Sequence, residues 1–207
     1  MELLLVRHAL PERIELSEGR ADPGLACDGH AQALLLAGYL RRQQIDAIYS
    51  SPLRRAQETA RPTADQFGLV TATIDGVAEF DRESSEYVPV EDLRVSGDPK
   101  FRQITDGFWS NPERIEPFER LVTATIEEVI VRHPGERVLI ACHAGVINLY
   151  LRVVLGLAAD RRGFFYPNYT SINRVIAGRH GHRSILTINE TPHLRNSGLP
   201  MGLHQKG

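Results

Sequence analysis

A chain of 207 residues, 42% hydrophobic and 24% charged, has the composition of an ordinary soluble globular protein and the length for one large or two small domains. Its net charge of -2 gives no global pull towards nucleic acid or anionic membrane, and no apolar run approaches the ~18 residues that a membrane span needs. The two cysteines, Cys27 and Cys142, make no disulfide framework, and Met1 leads directly into the first strand with no basic-apolar-cleavage pattern, so a reduced, cytoplasmic compartment is the expectation.

The first predicted strand is Glu2–Val6, a continuous Leu/Val run that reads as buried on both faces of a sheet. A loop over 9–26, with Pro11, Gly19, Pro23 and Gly24, precedes a helix over about 28–43. Asp28 is its expected N-cap, and Ala33, Leu34, Ala37 and Leu40 or Leu36 form its apolar stripe. A short strand, Asp46–Ser50, runs into Ser51-Pro52, read as N-cap and first position of a second helix to about Phe67. Weaker strands fall at Val70–Ile74 and Gly76–Ala78. Residues 80–117 are irregular, acidic and aromatic (Phe80, Tyr87, Phe101, Phe108, Trp109), and read as a lid-like insertion with short helices.

An amphipathic helix over about 118–133 turns Leu121, Val122, Ile126, Val129 and Ile130 inward, and Pro134-Gly135 stops it. Then come the strand Arg137–Cys142, a helix over about 145–155, and a hairpin of strands near 171–177 and 184–189. Residues 195–207 lack periodicity and read as a disordered tail, leaving 1–194 as a single domain. Strands alternating with helices predict a three-layer α/β/α sandwich whose central sheet is mostly parallel, with an antiparallel edge.

Two of these strands end in histidine, Leu3–Val6 before Arg7-His8 and Val138–Cys142 before His143. Ligands of open α/β sheets bind beyond the carboxyl ends of the strands, so the two imidazoles are candidates for one crevice. A neutral imidazole attacks phosphorus without a metal, and an adjacent arginine neutralises phosphoryl oxygens. Arg54 falls in the first turn of the helix after Tyr49-Ser50-Ser51-Pro52, where a bound anion would explain a cation at an electropositive helix end. The competing reading pairs Arg54 with Glu58 at i,i+4 on a solvated face. Arg54 is assigned to the site and Arg55 to the surface. No His-x-x-x-His or Cys-x-x-Cys spacing supports zinc, so no metal site and no cofactor are expected.

These segments resemble the histidine phosphatase superfamily, the phosphoglycerate-mutase-like proteins. Leu4-Leu5-Val6-Arg7-His8 resembles its nucleophile strand. Pro23-Gly24-Leu25 with Gly29, Gln32 and Ala33 resembles its helix entry. Asp46–Ala60, with Ser50-Ser51-Pro52-Leu53-Arg54-Arg55-Ala56, is close to its second motif, and Val138–Val146 resembles its second-histidine strand. The resemblance implies that His8 is the phosphate-accepting nucleophile, that Arg7, Arg54 and His143 line the phosphate pocket, and that Glu79 is the proton donor, with Asp81 and Glu83 as competitors. It implies a metal-independent phosphomonoester phosphatase that acts on a small-molecule phosphate through a phosphohistidine.

Two departures stand out. Ala9 replaces the family's glycine after the first histidine, which is costly if that residue needs positive φ. The polar run that helps hold the phosphate in the mutases is absent, and neither Arg13 nor Arg20 can be placed as a substitute. A phosphoglycerate mutase and a non-catalytic phosphate-binding module on the same fold are the alternatives. Residues 80–136, between the acid and the second histidine, are short and acid-rich beside the mutases' insertion, which favours hydrolysis. If the lid aromatics face the crevice, the leaving group has an apolar or aromatic part. The expected partner is a small phosphoester, with neither nucleic acid nor membrane. The oligomeric state, homodimer included, is not fixed by the sequence.

Overall fold

The computed structural model of the chain describes residues 1–102, 112–158 and 163–203. Its main sheet has the strand order β4-β3-β6-β1-β7-β8, with β1 Glu2–Arg7, β3 Ala47–Ser50, β4 Thr71–Thr73, β6 Arg137–Cys142, β7 Ile172–Ala177 and β8 Arg183–Glu190. A separate two-stranded ladder joins β2, Ile14–Glu15, to β5, Glu86–Tyr87. The strands β4, β3, β6 and β1 pair in parallel, and β7 turns the sheet antiparallel against β1 and β8.

Successive strand residues face opposite sides of a sheet, and both sides of this one are covered. Leu3 and Leu5 of β1, with Val138 and Ile140 of β6, pack on α5 (Pro112–Arg132) and α6 (Ala144–Leu155). Leu4, Val6, Leu139 and Ala141 pack on α1 (Cys27–Leu40) and α2 (Arg54–Phe67). Leu3, Leu4, Leu5 and Val6 are all completely buried, which is why that run is continuous rather than alternating. The result is an α/β/α sandwich in which β1 and β6, central neighbours, end side by side.

Several boundaries differ from the sequence reading. The cap of α1 is Ala26, so Asp28 lies inside the first turn, where its charge suits the free N–H ends. Leu36 and Leu40 are buried on α1, and Leu34 faces solvent. Residues Asp75–Val77 form a 3-10 turn rather than a strand. α5 starts at Pro112 and carries Pro117 within it, a proline that reads in sequence as a boundary. Val122, Ile126 and Val129 face the sheet, whereas Leu121, one position and about 100° away, is 54% exposed.

Within 80–102 the chain forms β5, α3 (Val90–Ser96) and α4 (Pro99–Arg102); Phe108 and Trp109 lie outside the described residues. The end of the chain departs most from expectation. Residues 195–203 are packed rather than loose, with Met201 and Leu203 buried. The Tyr169 N–H donates to the Met201 carbonyl at 2.8 Å, and the Gln32 side chain donates to the Pro200 carbonyl. Residues 204–207 lie outside the described part. Among the described residues, no helix is long and apolar enough to cross a membrane.

Candidate active site

Because β1 and β6 pair in register, with Arg7 opposite Cys142, the residues that follow them leave the sheet together. His8 donates its backbone N–H to the Cys142 carbonyl at 2.9 Å, and the His8 and His143 rings stand 5.1 Å apart between centroids. Nδ1 of His8 lies 2.8 Å from the Ala9 carbonyl oxygen. A carbonyl only accepts, so Nδ1 carries the hydrogen and Nε2 keeps its lone pair. Burial, then the charges of Arg55 and Arg7, hold His8 well below the usual imidazole range, so it is neutral. His143 is held down in the same way, by burial first and then by Arg55. Its Nε2 is 2.7 Å from Ser51 Oγ, at the end of β3.

Ala9 is no strain on this arrangement. Among the described residues the positive-φ positions other than glycine are Thr170, Asn189 and Asn196. The Ala9 N–H donates to Thr59 Oγ1 at 2.9 Å, and that hydroxyl donates to the Arg55 carbonyl at 2.7 Å. One side chain of α2 thus fixes both the loop after His8 and the start of its own helix.

The neighbouring arginines of α2 exchange the places expected of them. Arg54 is exposed and its Nε meets Glu58 at 2.7 Å, so the i,i+4 surface pair is what forms. Arg55 is 1% exposed and enters the cavity, with its Nη2 3.1 Å from Asp81 and its guanidinium 4.6 Å from the Tyr87 ring centre. The helix explains the exchange. Its buried row runs Ala56, Ala60, Ala64 with Thr59 and Thr63 beside it, and Arg55 is one turn before Thr59 on that side. Arg54 shares its row with Glu58, on the outside.

Arg7 donates from Nη1 to the Pro167 carbonyl at 2.7 Å, and its guanidinium lies 4.1 Å from the Tyr169 ring centre. Tyr169 was not read from the sequence. It precedes Thr170, a β-branched residue at φ 53° whose N–H donates to the Arg7 carbonyl. Such a backbone costs about 1–3 kcal/mol and persists only where its surroundings force it. A strained turn supporting a buried arginine has no local sequence signal.

Glu79 enters the same cavity from the turn after Asp75–Val77. Its Oε2 accepts the Gly145 N–H at 2.8 Å and its Oε1 accepts the Phe80 N–H at 3.1 Å. Burial, followed by the charge of Asp81, pushes its carboxyl up to about 7, so a large share of it keeps its proton at neutral pH, as an ordinary carboxyl would not. Gly145 is required for this contact, since a Cβ there would stand 2.4 Å from Glu79 Oε1. Of the competing acids, Asp81 is committed to Arg55, and Glu83 lies with Arg20 and Arg82. Arg13 pairs with Glu15, so neither Arg13 nor Arg20 reaches the phosphate end.

The cavity, about 320 Å³, is lined at its inner end by Arg7, His8, Arg55, Glu79 and the Ala144-Gly145 start of α6. No group of three or more His, Cys, Asp or Glu side chains is placed to hold a metal among the described residues. A neutral nucleophilic imidazole, two buried guanidiniums and a protonated carboxyl can accept a phosphoryl group and protonate what leaves it.

Comparison with known proteins agrees with that chemistry. Phosphoserine phosphatase 1 of Hydrogenobacter thermophilus is 30% identical over 200 residues, 94% of each chain. A probable phosphoglycerate mutase, GpmB of Yersinia pestis, is 27% identical over 84% of each chain. The crystal structure of a phosphoserine phosphatase from Entamoeba histolytica in complex with 3-phosphoglyceric acid superposes with a TM-score of 0.71 at 26% identity, over 93% of this chain and 98% of that one. Residues 3–191 match the profile of the histidine phosphatase superfamily (branch 1), and the chain belongs to that family.

Proposed function

We propose that the chain is a phosphomonoester phosphatase in which His8 carries the phosphoryl group between two half-reactions. His8 Nε2 attacks phosphorus as the ester P–O bond breaks. Arg7, Arg55 and His143 hold the phosphoryl oxygens, and Glu79 gives its proton to the departing oxygen so that a neutral alcohol leaves. Glu79, now ionised, takes a proton from water as that water attacks the phosphohistidine. The N–P bond breaks, inorganic phosphate leaves, and Glu79 is protonated for the next turnover.

The observation that carries this reading is the pairing of a neutral His8, its Nδ1 tied to the Ala9 carbonyl, with a buried and protonated Glu79 in one cavity. The small-molecule phosphatases among the relatives support hydrolysis as the outcome. Two free thiols, Cys27 and Cys142, fit a reduced compartment such as the cytoplasm. The test is hydrolysis of p-nitrophenyl phosphate in excess EDTA by the wild-type enzyme and by His8→Ala. Turnover that persists with the chelator and vanishes in the variant supports the reading; equal turnover in both overturns it.

A further inference from the structure

Beyond its phosphate end the cavity changes character. Phe80, Val88, Val90, Leu93, Phe165 and Leu203 also line it. The described lining holds three cations in all, and Arg7 and Arg55 are spent at the inner end. The third, Lys100, is already held by both carboxylate oxygens of Glu86, at 2.7 and 2.8 Å. Of the acids that also line the space, Glu79 is the proposed proton donor, Asp81 pairs with Arg55 and Glu86 with Lys100, so no described cation is left for an anion beyond the phosphate. A second anionic group on the substrate would have to displace Glu86 from Lys100 or sit beside carboxylates in a half-enclosed apolar space. Neither is rewarded: the first exchanges one carboxylate for another on an exposed ammonium, and the second strips hydration from a charge that finds no partner. An uncharged apolar group loses nothing there and leaves water.

We infer that this apolar outer wall, with Lys100 neutralised by Glu86, selects phosphomonoesters of uncharged alcohols with an apolar or aromatic body, and disfavours esters that carry a carboxylate. The inference rests on the phosphatase reading and narrows it. It separates this chain from relatives whose names specify phosphoserine. A cavity of about 320 Å³ lies at the lower end of the roughly 300–1,000 Å³ usual for small-molecule sites, so the alcohol is small, of the order of one ring or a short chain.

The test compares kcat/KM of the wild-type enzyme for benzyl phosphate and n-butyl phosphate with that for O-phosphoserine and 3-phosphoglycerate, with His8→Ala as the blank. All four leaving groups are alkoxides, so the comparison reads the wall rather than bond strength. Benzyl phosphate is expected to exceed O-phosphoserine by about tenfold or more, the scale on which a pocket discriminates one buried group. Glu86→Gln frees Lys100 and is expected to raise the two carboxylate esters relative to benzyl phosphate. His8-dependent turnover that favours O-phosphoserine or 3-phosphoglycerate in the wild type overturns the inference and leaves the phosphatase reading standing. A Glu86→Gln variant that changes all four esters alike overturns the role given to Lys100. No His8-dependent turnover of any ester overturns both readings.

Discussion

The floor and the outer wall of the cavity are held by different forces. At the floor, His8 and His143 follow β1 and β6, which pair over their full length and are covered on both faces. At the wall, Val88, Val90 and Leu93 stand on and beside a two-residue ladder and the seven-residue helix α3. That wall is tied by exposed ion pairs, Lys100 with Glu86 and Arg20 with Glu83. Exposed pairs contribute roughly 0–1 kcal/mol each, whereas a fully buried Leu or Val contributes about 1.5–3 kcal/mol. The same chain therefore carries the proposed reacting groups on its doubly covered strands and the proposed substrate wall on a short ladder and a short helix. Chemistry is set once, and specificity is left adjustable.

Substitutions at the floor should damage every substrate alike, and substitutions at the wall should not. His8→Ala is expected to lower kcat by about 10⁴-fold or more for any ester, read in a single-turnover assay. Glu79→Gln is expected to cost about 10²–10⁴-fold on alkyl phosphates. It should also change the pH profile. In the wild type only the protonated carboxyl donates, so kcat/KM falls as pH rises past about 7, where Glu79 ionises. The variant should lack that limb.

Arg55→Ala is expected to lose about 10²–10³-fold in kcat/KM. Its neighbour Arg54→Ala should stay within about twofold, since only an exposed pair with Glu58 is lost. Equal losses in the two would break the contrast between the buried and outer rows of α2. Gly145→Ala pushes a methyl against Glu79 and should destabilise the fold by about 1–3 kcal/mol, read by thermal denaturation, with a loss of kcat. The smallest effect belongs to the wall. Leu93→Ala should raise KM for benzyl phosphate by about tenfold and leave kcat nearly unchanged. A collapse of kcat there would mean that the wall also orients the chemistry.

What could be read from sequence follows the same division. The runs Leu3–Val6 and Val138–Cys142 announce buried strands because burial on both faces leaves no polar position in them, and each histidine follows directly. Glu79 is legible through the family resemblance, which expects an acid directly after a short apolar segment, here Val77-Ala78. Arg55 was misplaced because pairing with Glu58 was weighed for Arg54 without asking which row of α2 carries the alanines. Tyr169 and Ser51 touch the two key residues only through tertiary contact, Tyr169 stacking on Arg7 and Ser51 bonding His143. Met201 and Leu203 do carry a signal, two apolar side chains two positions apart, but the glycines and proline around them mask it.

That last segment has a consequence for how the enzyme comes into being on the ribosome. Leu203 lines the same cavity as His8, the proposed nucleophile, and β1 has no neighbour until β6 and β7 exist. At the usual 5–20 residues per second, roughly 10–40 s separate the synthesis of His8 from that of Leu203. Until β6 and β7 have been made, Leu3–Val6 is an unpaired greasy strand, the kind of segment that chaperones shield. On the proposed reading, the nascent chain carries its nucleophile long before the residues that would hold a phosphate have assembled around it.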